Sequence, residues 1–156
     1  TLCGALAEPL AVGMHAVGRA GSLTGRDVLV NGAGPIGSLV VAAAKYAGAR
    51  TVIAVDISDA SLRTARAMGA DEVLNVSGDV SLPEDMELVF EATGIPAVTQ
   101  RAIRALRKIV RIITTSKRPD PAFLTSSRMR SVRYSARASY LMTSSVLGRV
   151  GVISCK

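Results

Sequence analysis

The sequence has no tryptophan, three tyrosines and two phenylalanines, so the core it builds must be aliphatic. With 49% apolar residues and many alanines, that core suits helices laid on a sheet better than an aromatic-rich β-sandwich. Histidine occurs once, as His15, which leaves a metal site made from this chain alone short of ligands. The two cysteines, Cys3 and Cys155, stand near opposite ends. With no Cys-x-x-Cys and no disulfide framework, they read as two reduced thiols. No apolar run approaches the ~18 residues needed to span a bilayer. Thr1-Leu2-Cys3-Gly4 carries no basic leader region, so a cytoplasmic protein without a membrane partner is expected. An initiator methionine is also missing, which points to a chain that starts partway through a larger one. The 156 residues suit one domain.

Acidic residues are nearly absent from the last part of the chain. Residues 1–100 hold six Lys/Arg against eleven Asp/Glu, whereas residues 101–156 hold thirteen against Asp120 alone, giving the net +7. The two parts differ in character, and a charge asymmetry of this size marks either a basic tail or a change in the kind of sequence.

Between them the residues spell out alternating strands and helices. Glu8 to Arg19 reads as a helix, with Pro9 in a first-turn position and Leu10, Met14 and Val17 at helical spacing. Val28-Leu29-Val30 is a short buried strand. Ile36 to Tyr46 is a helix that is apolar nearly all round, stopped at Gly48. Thr51 to Val55 is a second strand, and a helix capped by Ser58 or Asp59 runs from there to Met68. Glu72 to Val76 is a third strand and Leu88-Val89-Phe90 a fourth, separated by a polar loop. A helix follows from Ile95 to Arg107, and Ile109 to Ile113 fits a fifth strand. Short apolar strands alternating with helices of about ten residues predict βαβ units and a parallel sheet covered on both faces, the α/β doubly wound Rossmann class.

Gly32-Ala33-Gly34-Pro35-Ile36-Gly37 sits in the one context that makes a Gly-x-Gly-x-x-Gly informative: directly after a strand and opening a helix. Gly32 allows the tight turn. Gly34 lets a pyrophosphate approach the backbone. Gly37 lets helix and strand pack closely. The helix N-terminus offers N–H groups and partial positive charge to phosphate. Asp56 ends the second strand, 19 residues after Gly37, where a carboxylate accepts both adenosine ribose hydroxyls and repels a 2′-phosphate. That pattern points to NAD over NADP. The competing readings are an Asp56 that only caps the next helix, an ordinary glycine turn, and a flavin or S-adenosylmethionine site on the same fold.

With those residues in place, the chain resembles the coenzyme-binding domain of the zinc-dependent medium-chain dehydrogenases, nearest their sorbitol and L-idonate 5-dehydrogenase branch. Four stretches carry the resemblance: Ala7 to Val12 followed by His15-Ala16; Val28 to Gly37; Ala67-Met68-Gly69-Ala70-Asp71; and Phe90-Glu91-Ala92-Thr93-Gly94. It implies an enzyme in which zinc polarises a secondary alcohol of a polyol or sugar acid and hydride passes to NAD, with the remaining zinc ligands on a catalytic domain outside this chain. It further implies that Gly32, Gly34, Pro35, Ile36, Gly37 and Asp56 hold the cofactor, with Thr93 and Gly94 passing its nicotinamide side. Glu8 matches a position that reaches the zinc, directly or through another ligand; the alternative is an acid placed by the helix dipole. His15 matches a structural helix position. The family's dimers or tetramers are implied for the parent protein. This chain by itself is expected to bind NAD weakly or not at all, and to lack catalysis.

The resemblance stops near residue 108. The Gly-Gly turn and apolar strand that follow in the family are replaced by Lys108-Ile109-Val110-Arg111, and then by a run rich in Ser and Arg. Residues 1–108 therefore read as the NAD-binding part and 109–156 as a basic segment in which no sixth strand or final helix can be placed. The abrupt change of charge points to a shift of reading frame. Two other functions are open: a non-catalytic nucleotide-binding module, and nucleic-acid binding by the basic segment with Tyr134 and Tyr140 stacking on bases. The second is disfavoured because no nucleic-acid module surrounds the run.

Overall fold

The computed structural model describes residues 2–78, 80–95 and 98, the side chains of 2–4 excepted, and the backbone of 111–114 and 133–135. Its elements are α1 (Leu2–Ala20), β1 (Asp27–Asn31), α2 (Pro35–Tyr46), β2 (Thr51–Asp56), α3 (Asp59–Ala67), β3 (Glu72–Asn75), β4 (Leu88–Glu91), β5 (Arg111–Thr114) and β6 (Arg133–Ser135).

All strand pairings are parallel, in the order β3-β2-β1-β4-β5-β6. The chain reverses its direction of travel across the sheet between β1 and β4, and a crevice opens outside the carboxyl ends of strands at such a switch point. This is the doubly wound Rossmann-like α/β fold. Register fixes which side chains share a face. Val28 and Val30 of β1, Val52 and Ala54 of β2, and Leu88 and Phe90 of β4 join the cluster that buries α1, α2 and α3. Leu29, Asn31, Ile53, Val55, Val89 and Glu91 alternate onto the opposite face and are also buried. Strands covered on both faces explain the continuous apolar runs.

Three differences from the sequence reading have physical causes. First, α1 does not start at Glu8; it starts at Leu2 and carries Pro9 inside it. Proline removes one intrahelical bond and clashes with the preceding turn, but close packing against α2 holds the helix together. A Cβ at Gly13 would stand 3.2 Å from the backbone of Leu39, so the two helices touch nearly backbone to backbone there. Glu8 consequently lies well inside α1, and the first-turn dipole account of it falls away. Second, β5 begins two residues later than the apolar pattern suggests, with Arg111 opposite Leu88. Third, the sheet does not stop at its fifth strand. Arg133–Ser135 takes the sixth place, beside β5, in a segment whose sequence shows no strand period.

Of the helix read over Ile95–Arg107, only Ile95, which is not helical, and helical Val98 are among the described residues, and the apolar stretch 146–153 lies outside them altogether. Among the described residues, no helix is long and apolar enough to cross a membrane.

Candidate functional site

The carboxyl ends of β1, β2 and β4 bring three short turns together. The first follows β1. Gly32 has φ +99°, a conformation that L side chains rarely adopt, and its N–H donates to the Val55 carbonyl at 2.8 Å. The chain then enters α2 through Gly34 as N-cap and Pro35 at N1. No side chain caps this helix, so its first-turn N–H groups are left without a side-chain partner. The Ser38 hydroxyl donates to the Ala33 carbonyl at 2.8 Å and pins the loop from inside.

The three glycines have different surroundings. A Cβ at Gly37 would sit 1.8 Å from the Gly32 carbonyl oxygen, so α2 is packed hard onto the loop that precedes it. A Cβ at Gly32 would sit 2.8 Å from the Thr93 Cγ2. A Cβ at Gly34 would meet nothing within 4 Å. Gly34 therefore faces open space while its two companions are locked. Pro35 is exposed beside that space and Ile36 is half-buried against the core.

The second turn follows β2. Asp56 Oδ2 accepts the Ala33 N–H at 2.7 Å, and Oδ1 accepts the Ser58 N–H at 2.9 Å. Helix α3 is capped by Ser58, whose hydroxyl accepts the Ser61 N–H at 3.4 Å, so Asp56 is not the helix cap. An ionised carboxylate has about four acceptor positions. These two bonds occupy one on each oxygen and tie the end of β2 to the glycine loop.

The third turn follows β4. Glu91 is 1% exposed, and its Oε1 accepts the Thr93 N–H at 2.8 Å together with the Thr93 hydroxyl. The Thr93 Oγ1 in turn accepts the Ile95 N–H at 3.1 Å, and Gly94 completes the turn with φ +71°. Asn31, directly across the ladder from Glu91, is 2% exposed, and its Nδ2 has no hydrogen-bond partner among the described residues. Neither residue stood out in the sequence as a site. The available signal was positional: each is a lone polar residue closing an apolar strand just before the turn.

These three turns gather Gly32, Gly34, Pro35, Ile36, Gly37, Asp56, Thr93 and Gly94 around one crevice. A dinucleotide fits what is there. The space at Gly34 admits a phosphate close to backbone, the uncapped α2 N-terminus presents N–H donors to it, and Asp56 keeps acceptor capacity for hydroxyls. Zinc does not fit. Among the described residues no group of three His, Cys, Asp or Glu side chains is assembled for a metal. Glu8 is exposed on α1 and takes no part in the hydrogen bonds of the crevice. His15, also exposed, lies two turns further along, about 10 Å on the helix axis, too far to share an ion with it.

Comparison with known proteins agrees with the geometry. Residues 35–146 match the family model of the zinc-binding dehydrogenases. The chain is 39% identical over 116 residues to chicken (Gallus gallus) sorbitol dehydrogenase, covering 67% of this chain and 32% of that one. It is 37% identical over 113 residues to the L-idonate 5-dehydrogenase (NAD(P)(+)) of Escherichia coli, covering 66% and 32%. The chain thus spans about a third of the length of the curated relatives it matches. Among solved structures, Escherichia coli L-idonate 5-dehydrogenase superposes with a TM-score of 0.71 at 28% identity, over 87% of this chain and 41% of that one. A zinc-binding dehydrogenase from Sinorhizobium meliloti bound to NADP superposes with a TM-score of 0.72 at 27% identity, over 84% and 42%. By the match of its family model across most of its length, the chain belongs to the zinc-binding dehydrogenase family.

Proposed function

We propose that these residues form the coenzyme-binding part of a dehydrogenase that uses NAD to oxidise a secondary alcohol on a polyol or sugar acid. The sorbitol and L-idonate relatives support the substrate class. The choice of cofactor is carried by one observation: Asp56 stands at the end of β2 with a carboxylate already anchored to the glycine loop and with acceptor capacity left over. Held there, it accepts both hydroxyls of an adenosine ribose and meets a 2′-phosphate with like charge. Bound NAD would supply the acceptor for the hydride lost by the alcohol carbon.

The chain's own residues bind and orient. Gly32, Gly34 and Gly37 shape the pyrophosphate cradle, Pro35 and Ile36 open α2 onto it, Asp56 selects the ribose, and the backbone of Thr93 and Gly94 borders the nicotinamide half. Glu8 is the acid this part would offer to a zinc whose remaining ligands lie elsewhere. The described residues do not assemble the site of that metal. Oligomers of the complete enzyme and a cytoplasmic location belong to the same reading.

Titration of the purified chain with NAD and NADP tests it. A preference for NAD of about ten- to a hundredfold is expected from a charged hydrogen bond of ~1.5–3 kcal/mol. Equal affinity for the two cofactors, or tighter binding of NADP, would overturn the assignment of Asp56.

A further inference from the structure

The buried polar pair beneath the crevice has no place in the cofactor contacts assigned so far. Asn31 and Glu91 sit at one register position of β1 and β4, on the same face, 2% and 1% exposed. Burying such groups costs free energy that aliphatic side chains would not, so their presence at the switch point calls for a use. Glu91 shows one. A single carboxylate oxygen gathers the Thr93 N–H and the Thr93 hydroxyl, and that hydroxyl then accepts the Ile95 N–H. The turn held this way lies against the glycine loop, with the Thr93 Cγ2 at the space a Cβ on Gly32 would need.

The strand order says which half of the ligand this turn meets. Asp56 fixes the adenosine end over β2, and the pyrophosphate crosses β1 at Gly34. The remaining half continues to the other side of the switch point, over β4. We infer that Glu91 is a positioning residue for the nicotinamide half of the cofactor, acting through Thr93 by holding the 92–95 turn at the height the ring requires. The inference rests on the dinucleotide reading above. It differs from that reading in assigning a role to a residue that touches no ligand.

The test uses the full 156-residue chain and two ligands, NADH and ADP-ribose, which share adenosine and pyrophosphate but differ in the nicotinamide. The chain has no tryptophan, so NADH emission is read without interference from it, and ADP-ribose is followed by calorimetry. Glu91→Met keeps the volume and removes both acceptors; Thr93→Val keeps the shape and removes the hydroxyl. Each is expected to weaken NADH by roughly three- to tenfold, the usual worth of one such hydrogen bond, with ADP-ribose changed less than about twofold. Glu91→Gln and Thr93→Ser, which retain an oxygen at the same place, should restore most of the NADH affinity. If Glu91→Met fails to fold, the Thr93→Val and Thr93→Ser pair carries the comparison by itself. Equal loss of both ligands, or unchanged NADH binding, overturns the positioning role and leaves the dinucleotide reading standing. With six strands in the sheet, the wild-type chain is expected to bind both ligands measurably, and a wild-type chain that binds neither overturns both.

Discussion

Gly34 and Gly37 belong to one motif, yet the structure gives them opposite consequences on substitution. At Gly37 a methyl group would be placed 1.8 Å from the Gly32 carbonyl oxygen, against an ordinary contact of 3.4–4 Å. Helix α2 would have to retreat by about 1.5 Å from a loop that Ser38 and Asp56 also hold, and overpacking of this kind costs about 3 kcal/mol. On a chain of 156 residues that lowers Tm by roughly 10 °C. At Gly34 the methyl would meet nothing within 4 Å, and the backbone there has φ −61°, which alanine adopts freely. Gly34→Ala should therefore leave stability within about 0.5 kcal/mol of wild type, with a small gain from a less flexible unfolded chain. The same methyl occupies the space where a phosphate must approach, so NADH affinity should fall by about ten- to a hundredfold, the worth of one misplaced carbon in a fitted site. Thermal unfolding followed by circular dichroism, and NADH titration on the same samples, separate the two effects. The reasoning is refuted if Gly34→Ala unfolds as early as Gly37→Ala, or if it folds normally and binds NADH as well as wild type.

Asp56→Asn should narrow the gap between NAD and NADP about tenfold or more, and should also cost about 1–2 kcal/mol of stability. Its amide NH2 would face either the Ala33 N–H or the Ser58 N–H; an unchanged cofactor ratio in paired titrations would show that Asp56 serves only the loop. For Asp71, burial is the largest influence and raises the carboxyl pKa. It is outweighed by the Lys45 ammonium bond, the Val52 N–H and the Lys45 charge, so the group ends below its ordinary value. A depressed folded pKa means stability that is present above about pH 3.9, the unfolded value, and is lost as pH falls further. Because the Asp71 side chain is 41% exposed, its share is only about 1 kcal/mol, and Asp71→Asn should flatten acid unfolding curves below about pH 4 while lowering stability at neutral pH. Purified residues 1–156 should show no alcohol oxidation with NAD and added zinc. Turnover of sorbitol or L-idonate above a zinc-only blank would contradict that.

Much of the fold is legible in the residues because the local rules agree with one another. The strands β1, β2 and β4 are apolar on both faces, and Gly-Ala-Gly-Pro-Ile-Gly stands where strand meets helix, so propensity, turn chemistry and periodicity give one answer. Alpha-1 was harder to delimit. Pro9 reads as a helix start on local grounds, and only the close approach of Gly13 to Leu39, a tertiary contact, shows why the helix runs through it. Asp56 is legible as a strand-end acid, but its hold on Ala33 across the sheet is not, since that bond joins residues 23 apart. Glu91 and Asn31 escape notice for a related reason. Each looks like the polar end of a strand, and only the register of β1 against β4 makes them a buried pair.

The sixth strand has no period or apolar run to announce it, and its place in the sheet can be argued from charge. The β5–β6 register sets Arg111 opposite Arg133, Ile112 opposite Tyr134 and Ile113 opposite Ser135. Residues at one register position of neighbouring strands share a face, with their backbones about 5 Å apart, so this register pairs two residues of like charge. Like charges a few ångströms apart in water repel by about 1 kcal/mol. In a part of the chain holding thirteen basic residues and a single acid, nothing nearby in sequence relieves that repulsion. Arg133→Glu should accordingly raise stability by about 1 kcal/mol, the swing from a repelling to an attracting pair. Salt should also stabilise the wild-type chain more than the variant, since a Debye length near 8 Å at physiological ionic strength shrinks to about 3 Å at 1 M. Both effects are read from chemical unfolding at two salt concentrations. If Arg133→Glu changes neither stability nor its salt dependence, residues 133–135 do not pair beside β5, and the sheet ends at its fifth strand.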